Sequence, residues 1–568
     1  VPRKAGRFKK LKPNQYKRIC KRLDRAIRSE SALRLPRDLA VKTLLTYCEV
    51  VKGKNLKDRR EGKDHLQNYS DALQFAQYYC HKYCALSHGA SITSEDISRA
   101  WVQCGRLFET MNQYVLLWDF LLMGISGQAD VKFVRQKKLE FRYSQKVQKE
   151  NAAASRYWGS PETPFDLVLA PESKYTGQEL FDACDCSTEG GVLSYKITDE
   201  VFEDKMRVAD LALQRYWSFE KDWDLGGYTV EEFRCVWKCL LSLSSIHRHL
   251  ASHAGNVNPK YSEAFIDQFT RTQRYDVWAV EISEKLPSIS RKNVELIIDD
   301  LIFDVSLLNR PDETIAQPFF RYSNGDLGLS YYQLLVSHPE ETIFRVIQLK
   351  RKTLHSKLVN MREKTQTLRV ANLVSGIVEH FDDFKVRHDG KNSNLDLLLV
   401  DRTAKFALSC ELKWTMGPRW YRNLDTVRGT LGKGVSQSEL CVDWVKTGPQ
   451  SIAQRTGISS SDLRTFRVEG IVISQRSLSG VQLPKPQIPV VNELIIEVLQ
   501  AKLPSKNLLC ALWTTCKIGG YLPKEGVHYS LVDRQAKSVL GYSFMGRKTD
   551  AIHKLSFTRD DLEVFPCI

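Results

Sequence analysis

The chain of 568 residues carries 83 Lys and Arg against 67 Asp and Glu, a formal charge of +16, with 42% apolar and 26% charged residues. These proportions exclude a disordered or fibrous chain, and the length predicts several globular domains. No apolar run approaches the roughly 20 residues of a membrane span and no secretory signal is recognised.

The 14 scattered Cys read as reduced thiols rather than a disulfide framework, so a cytoplasmic, reducing location is expected. Because Val1 is not Met, some trimming ahead of it is expected. The basic excess asks for a polyanionic partner, and nucleic acid is the economical choice. A membrane surface competes, but no basic amphipathic helix stands out to use it, so no membrane partner is expected.

Residues 1–28 hold twelve Lys or Arg against one Asp. Lys9, Lys10, Lys17 and Arg18 are candidate phosphate contacts of an arm that binds through counterion release, and a solvated tail is the competing reading. Helices are predicted over 17–27 and 36–51, and residues 60–150 read as helical. There Ser94-Glu95-Asp96 starts a helix, with Ile97, Trp101, Cys104, Leu107 and Phe108 on its buried face. Residues 131–149 read as a basic polar helix or linker, which sets a boundary near 150. Cys80, Cys84 and His88 lack a second ligand pair at zinc spacing and read as core.

Residues 151–200 are punctuated by Gly159, Pro161, Pro164 and Pro171 and read as irregular. Cys184 and Cys186 read as inert. Helices resume over 199–253, where His247, His249 and His253 lack a convergent third ligand. A helix at 288–303 followed by a hairpin at 318–330, turned at Asn324-Gly325, resembles a winged-helix module near 285–345. That resemblance implies duplex binding. The competing reading, an ordinary packing unit, is favoured because the helix carries as many acids as bases. Residues 349–364 read as a basic helical connector.

The stretch NLDLLLVDRTAKFALSCELKW, 394–414, carries the chemistry. Two apolar runs, 395–401 and 405–413, predict a β-hairpin turned near 403–404. Alternation puts Leu395, Leu397 and Leu399 on one face and Asp396, Leu398 and Val400 on the other. On the second strand Phe406, Leu408, Cys410 and Leu412 oppose Ala407, Ser409, Glu411 and Lys413. Asp396 then falls almost opposite Glu411, with Lys413 two residues on. Two carboxylates beside Leu and Val need compensation, which a hard divalent cation supplies while leaving positions open for phosphate oxygens. An amphipathic edge strand facing water is the competing reading.

Asp396, fourteen residues, then Glu411-Leu412-Lys413 resembles the PD-(D/E)xK nuclease superfamily. The match covers about 361–476. A helix at 367–381 (Val370, Leu373, Val374, Ile377, Phe381), a strand at 384–388, a helix at 434–446 and a strand at 467–474 complete its order. Asn394-Leu395 stand where many members have Pro or Gly. The resemblance implies an endonuclease dependent on Mg²⁺ or Mn²⁺, with catalytic Asp396, Glu411 and Lys413. It implies metal held by Asp396, Glu411 and the Leu412 carbonyl, and accessory roles for Gln437 and Asn372. DNA is expected ahead of RNA as substrate, in a defence or mobile-element setting. A homodimer and a separate NTPase are the expected protein partners, since no phosphate-cradling Gly-Lys-Ser/Thr loop is present. A nucleic-acid-binding scaffold with a silent nuclease fold, and an RNase on the same core, stand as alternatives.

Arg419, Trp420, Arg422, Arg428 and Lys433, in a Gly-rich stretch after the second strand, are candidate backbone or base contacts. Further on, 491–503 reads as helix, 508–515 as a strand, and 529–532 and 539–545 as strands extending the core sheet. The expected architecture is multidomain. A mainly α-helical N-terminal region (1–150) and a helical or mixed region (151–350) precede a C-terminal α/β restriction-endonuclease-like core (αβββαβ) with an extension (351–568).

Overall fold

The computed structural model describes residues 13–52, 62–86, 93–125, 129–135, 138–143, 173–189, 192–214, 217–257, 269–309, 313, 315–414, 421–475, 488–502, 507–518, 529–539 and 542–551. Lys9, Lys10, His88, the Gly and Pro residues of 151–171, Arg419 and Trp420 lie outside them. The chain forms two compact units, Lys17–Trp118 with Pro161–His355, and Val1–Tyr16 with Asp119–Ser160 and Ser356–Ile568. Among the described residues no helix is long and apolar enough to cross a membrane.

The first unit is mainly helical. Its helices are α1 (Pro13–Arg28), α2 (Arg37–Tyr47), α3 (Gly62–Tyr83), α4 (Ser94–Ile125, running past the unit's edge), α5 (Gly177–Ala183) and α6 (Asp199–Leu213). They continue with α7 (Val230–Val257), α8 (Tyr275–Lys285), α9 (Arg291–Leu301), α10 (Tyr331–Val336) and α11 (Pro339–Lys350). Contrary to expectation α1 is basic and amphipathic, with Ile19, Leu23 and Ile27 buried and Arg18, Lys21, Arg22, Arg25 and Arg28 exposed. The three histidines of α7 and its end diverge to separate partners: His247 to the Tyr195 hydroxyl, His249 to the Ser245 carbonyl and His253 to Gln178.

Strands β3 (Arg271–Gln273), β4 (Phe319–Arg321) and β5 (Leu327–Leu329) form a sheet of order β3-β5-β4 beside α8 and α9. The hairpin turns at Gly325, whose φ of 89° suits a residue without Cβ. Its tip is held by α2, where Asp38 accepts the Ser323 N–H at 2.9 Å. Asp300 of α9 is fixed by Arg351 at 2.8 and 3.0 Å and by the Tyr228 hydroxyl at 2.7 Å. Hairpin tip and helix are thus both engaged by the unit's own side chains.

The second unit contains two sheets. A five-stranded mixed sheet has the order β10-β9-β8-β7-β6, from β6 (Glu379–His388), β7 (Lys391–Asp401), β8 (Phe406–Lys413), β9 (Arg467–Ser474) and β10 (Val490–Asn492). β6, β7 and β8 form an antiparallel meander, and β9 and β10 run parallel to β8. One face is covered by α12 (Lys352–Val374), α16 (Glu493–Lys502) and α17 (Leu508–Ile518). The other face is covered by α13 (Tyr421–Lys446), with α14 (Gln450–Thr456) and α15 (Ser460–Leu463) following. Burial on both faces explains why β8 is buried from Phe406 to Leu412, and each large apolar side chain there contributes roughly 1.5–3 kcal/mol.

Several expectations are corrected. Leu508–Ile518 is a helix, since a continuous apolar run does not distinguish a buried helix from a strand. The first core helix spans Lys352–Val374, so Ile377 is exposed and Phe381 belongs to β6. The described part of the expected helix or linker at 131–149 is instead strands β1 (Ala129–Arg135) and β2 (Lys138–Tyr143), as the alternation Leu139, Phe141, Tyr143 allows, and 144–149 lie outside the described residues. With β11 (Tyr529–Val539) and β12 (Tyr542–Ala551) they form a separate sheet of order β1-β2-β12-β11, so the C-terminal strands do not extend the core sheet. Among the described residues twelve cysteines are free thiols.

The helical unit is pinned by Glu340, which is 1% exposed. It accepts the Ser218 N–H and hydroxyl at 2.8 and 2.7 Å, the Phe219 N–H at 3.0 Å and Arg234 at 2.9 Å. Truncation leaves a buried guanidinium without its counter-charge, so Glu340→Ala is predicted to cost roughly 3–5 kcal/mol. Urea unfolding of the variant measures this, and a loss under about 1 kcal/mol would contradict it.

Candidate active site

The β7–β8 ladder pairs Asp401 with Phe406 through to Leu397 with Cys410 and stops there. The next residue, Asp396, turns its carboxylate to the backbone instead, accepting the Leu412 N–H at 2.8 Å. Opposite it on β6, Asp383 has a φ of 52°. Phe384 and Leu395 share a core cluster with Leu398 and Val400, three and five residues from Leu395. A regular strand does not put residues three apart on one face, so both strands kink together at Asp383 and Asp396. The expected placement of Leu395 with Leu397 and Leu399 is therefore corrected. The kink aims Asp396 at the end of β8 rather than into either core.

Glu411 is 1% exposed. Its Oε1 accepts from Lys413 Nζ at 2.5 Å, and its Oε2 is buried without a hydrogen-bond partner. Burial first, then the neighbouring Asp396 charge, pushes the Glu411 carboxyl up to about 8 against the opposing pull of Lys413. Asp396 is also raised by burial, opposed by the Leu412 N–H and Lys413. For Lys413 burial acts downward, but Glu411, Asp396 and Glu363 outweigh it and raise the ammonium's pKa.

Glu363, on α12, is the site residue that sequence reasoning missed. Burial raises its pKa, Lys413 and Lys433 lower it and Asp396 raises it, so it shares the field of the same cluster. The buried stripe of α12 runs Leu358, Arg362, Gln366, Val370, Val374, and its polar members conceal the helical period in a hydrophobicity reading. Asn372, the expected accessory on this helix, is exposed nine residues beyond Glu363, about 13 Å along the axis, and does not join the cluster. Arg362 ties α12 to the strand ends, bonding Gln475 at 3.0 and 2.8 Å with its guanidinium 4.4 Å from the Trp414 ring centroid.

Helix α13 begins at Tyr421, thirteen residues before the expected 434, despite Gly429, Gly432 and Gly434. Val427 and Leu431, buried against Val472, Ile488 and Val490, outweigh the helix penalty of glycine. Gly434 lets the helix lie on the site, since a Cβ there would stand 3.1 Å from Lys413 Cγ, 3.2 Å from its Cε and 3.3 Å from Val472 Cγ1. One turn on, Gln437 Nε2 donates to Ser393 Oγ at 3.5 Å while its Oε1 is buried without a partner. Lys433 is exposed and Arg428 half-buried on the same helix, and the side chains of Arg422 and Lys17 lie outside the described residues. Arg18 is exposed on α1.

Asp396, Glu411, Lys413 and Glu363 are thus brought together, with Gln437 beside them. Among the described residues no group of three or more His, Cys, Asp and Glu is arranged to hold a metal ion. Any metal here would rest on two carboxylates, a backbone carbonyl and water, a donor set that suits Mg²⁺. The orphaned Glu411 Oε2 fits such a ligand.

Two outcomes follow from this geometry. Glu411 keeps its proton when folded at pH values where the unfolded carboxyl has lost it, so the metal-free fold loses stability as pH rises from about 4.5 to about 8. Glu411→Gln is predicted to flatten that fall and to exceed the wild type in urea midpoint at pH 8 with EDTA; a steeper fall in the variant would contradict this. Gly434→Ala is predicted to cost about 1–3 kcal/mol through overpacking against Lys413, read from the same titrations. No family model, no curated protein and no solved structure matches this chain, so the site's chemistry is to be read from its own geometry.

Proposed function

We propose that the chain is a divalent-metal-dependent nuclease of the PD-(D/E)xK type, with DNA as its substrate. The observation that carries this is an imbalance of buried charge. The buried Glu411 lies in the field of a second raised carboxyl, Asp396, and its hydrogen-bonded cationic partner is the half-buried Lys413, with Glu363 and Lys433 contributing to the same field. Among the described residues Asp38, Glu411 and Glu493 each have a buried carboxylate oxygen without a hydrogen-bond partner; Asp38 and Glu493 lie beside Arg37 and Arg369, whereas Glu411 lies in the field of two further carboxyls, Asp396 and Glu363. Natural interiors leave few such groups, and those that occur ask for an explanation such as an ion or a catalytic role. The element order α12, β6, β7, β8, α13, β9 supports the same reading, being the order expected of that superfamily.

Asp396 and Glu411, with the Leu412 carbonyl, would hold the cation. When bound, Mg²⁺ neutralises the excess negative charge and polarises a phosphate oxygen as a Lewis acid. The chain's own residues then divide the remaining work. The Leu412 N–H fixes the Asp396 carboxylate, and the kink at Asp383 and Asp396 aims it. Glu411 Oε1 orients Lys413, whose raised pKa keeps it an ammonium with further N–H donors available. Those donors position the attacking water and offset the charge that builds on the phosphoryl oxygens. Water oxygen bonds to phosphorus, the bond to the leaving sugar oxygen breaks, and a phosphomonoester and a hydroxyl result.

Cleavage of labelled duplex and single-stranded DNA and RNA, with Mg²⁺, Mn²⁺ or EDTA, tests the proposal. Metal-dependent cutting of DNA is predicted, falling about 10²–10³-fold in Lys413→Ala and Asp396→Ala variants that melt like the wild type. RNA cut in preference would move the substrate class. Cutting that survives both substitutions would overturn the site, and tight binding without cutting would favour the scaffold.

A further inference from the structure

Helix α1 is not used by the site described above, and its two faces differ sharply. The inner face is apolar, with Ile19, Leu23 and Ile27 buried. Its one acid, Asp24, accepts from the hydroxyls of Tyr114 at 2.7 Å and Tyr79 at 3.3 Å. The outer face presents Arg18, Lys21, Arg22, Arg25 and Arg28, all exposed. Spaced i, i+3, i+4, i+7 and i+10, the five cations lie along one side of about 15 Å of helix axis. Among the described residues none of the five is in an ion pair, and Arg28 alone has a ring contact, 5.1 Å from the Tyr83 centroid.

A row of uncompensated cations suits a polyanion, and two kinds are available in a cell. An amphipathic helix on an acidic membrane buries its apolar face among acyl chains. Here that face is already buried in the protein, so only the charges are presented. A single-stranded nucleic acid is gripped by stacking its bases on aromatic rings, and the exposed face of α1 holds no aromatic residue. A rigid line of point charges matches the regular phosphates of a duplex, which follow one another every 3.4 Å per strand. We infer that the outer face of α1 is a docking surface for the phosphate backbone of a nucleic-acid duplex, bound without regard to sequence. The choice of nucleic acid among polyanions rests on the nuclease reading of the Asp396 site.

The test measures binding without cleavage. The full chain is titrated into a fluorescent 30-base-pair DNA duplex in EDTA at about 50–200 mM salt, beside a variant with Arg18, Lys21, Arg22, Arg25 and Arg28 all changed to Gln. Each lost phosphate contact lowers the slope of log affinity against log salt by about 0.9, so the variant, with five contacts removed, is expected to lose about 4.5 from the slope. At 150 mM salt it should bind at least tenfold more weakly, with an unchanged melting temperature because all five side chains are exposed. The matching single strand should lose less, and vesicles of phosphatidylserine and phosphatidylcholine should bind neither protein. An unchanged slope, no duplex binding by the folded wild type, or vesicle binding lost in the variant would overturn the inference. A changed slope in a chain that cuts nothing would retain the docking surface and remove the nuclease reading; cutting with an unchanged slope would do the reverse.

Discussion

A buried glutamate, Glu411, beside a second raised carboxyl and a half-buried ammonium sets the terms for the sheet unit. Asp396 and Glu411 sit where the β7–β8 pairing stops between two covered faces, so water screens neither well, and both carboxyls rise. Lys413 answers one of them. The remainder is held by the sheet's own construction: the kink that turns Asp396 to the Leu412 N–H, the helix that brings Glu363 alongside, and the glycine that lets α13 lie on the Lys413 stem. Such an arrangement costs stability in the metal-free protein. It persists because the strands that carry it are fixed by apolar packing on both sides.

The helical unit handles buried charge differently. Asp300 is met by two arginine nitrogens, Lys350 and a tyrosine hydroxyl, and Glu340 by a guanidinium, two backbone N–H groups and a serine. Glu49 takes the Tyr332 N–H at 2.7 Å and Ser330 at 3.2 Å. These acids act as fasteners, each closed by donors from distant segments. The contrast in donor supply separates structural acids from Glu411 more clearly than burial alone, since all are equally removed from water.

Much of the site was legible because the hairpin obeys period two where it matters. Phe406, Leu408, Cys410 and Leu412 read as one face, and that reading placed Glu411 and Lys413 together on the other. What was not legible had local physical causes. Glu363 was hidden because Arg362 and Gln366 continue the buried stripe of α12 with polar side chains, held by Gln475 and the Ile473 carbonyl. The early start of α13 was hidden by three glycines, whose cost is met by tertiary contacts of Val427 and Leu431. Leu395 was misplaced because alternation assumes an unkinked strand, and the kink lies at the residue with the chemistry. Leu508–Ile518 is buried almost all round, so its sequence has no polar face from which to read a period.

The central claim is that this cluster is built to take a divalent cation. Calorimetric titration of Mg²⁺ into the metal-free full chain tests it most directly, with Asp396→Asn and Glu411→Gln titrated alongside and folding checked by melting. The account predicts one saturable site in the wild type, lost or weakened at least tenfold in each variant. A folded wild type that binds no cation, or binding undiminished in both variants, would contradict it.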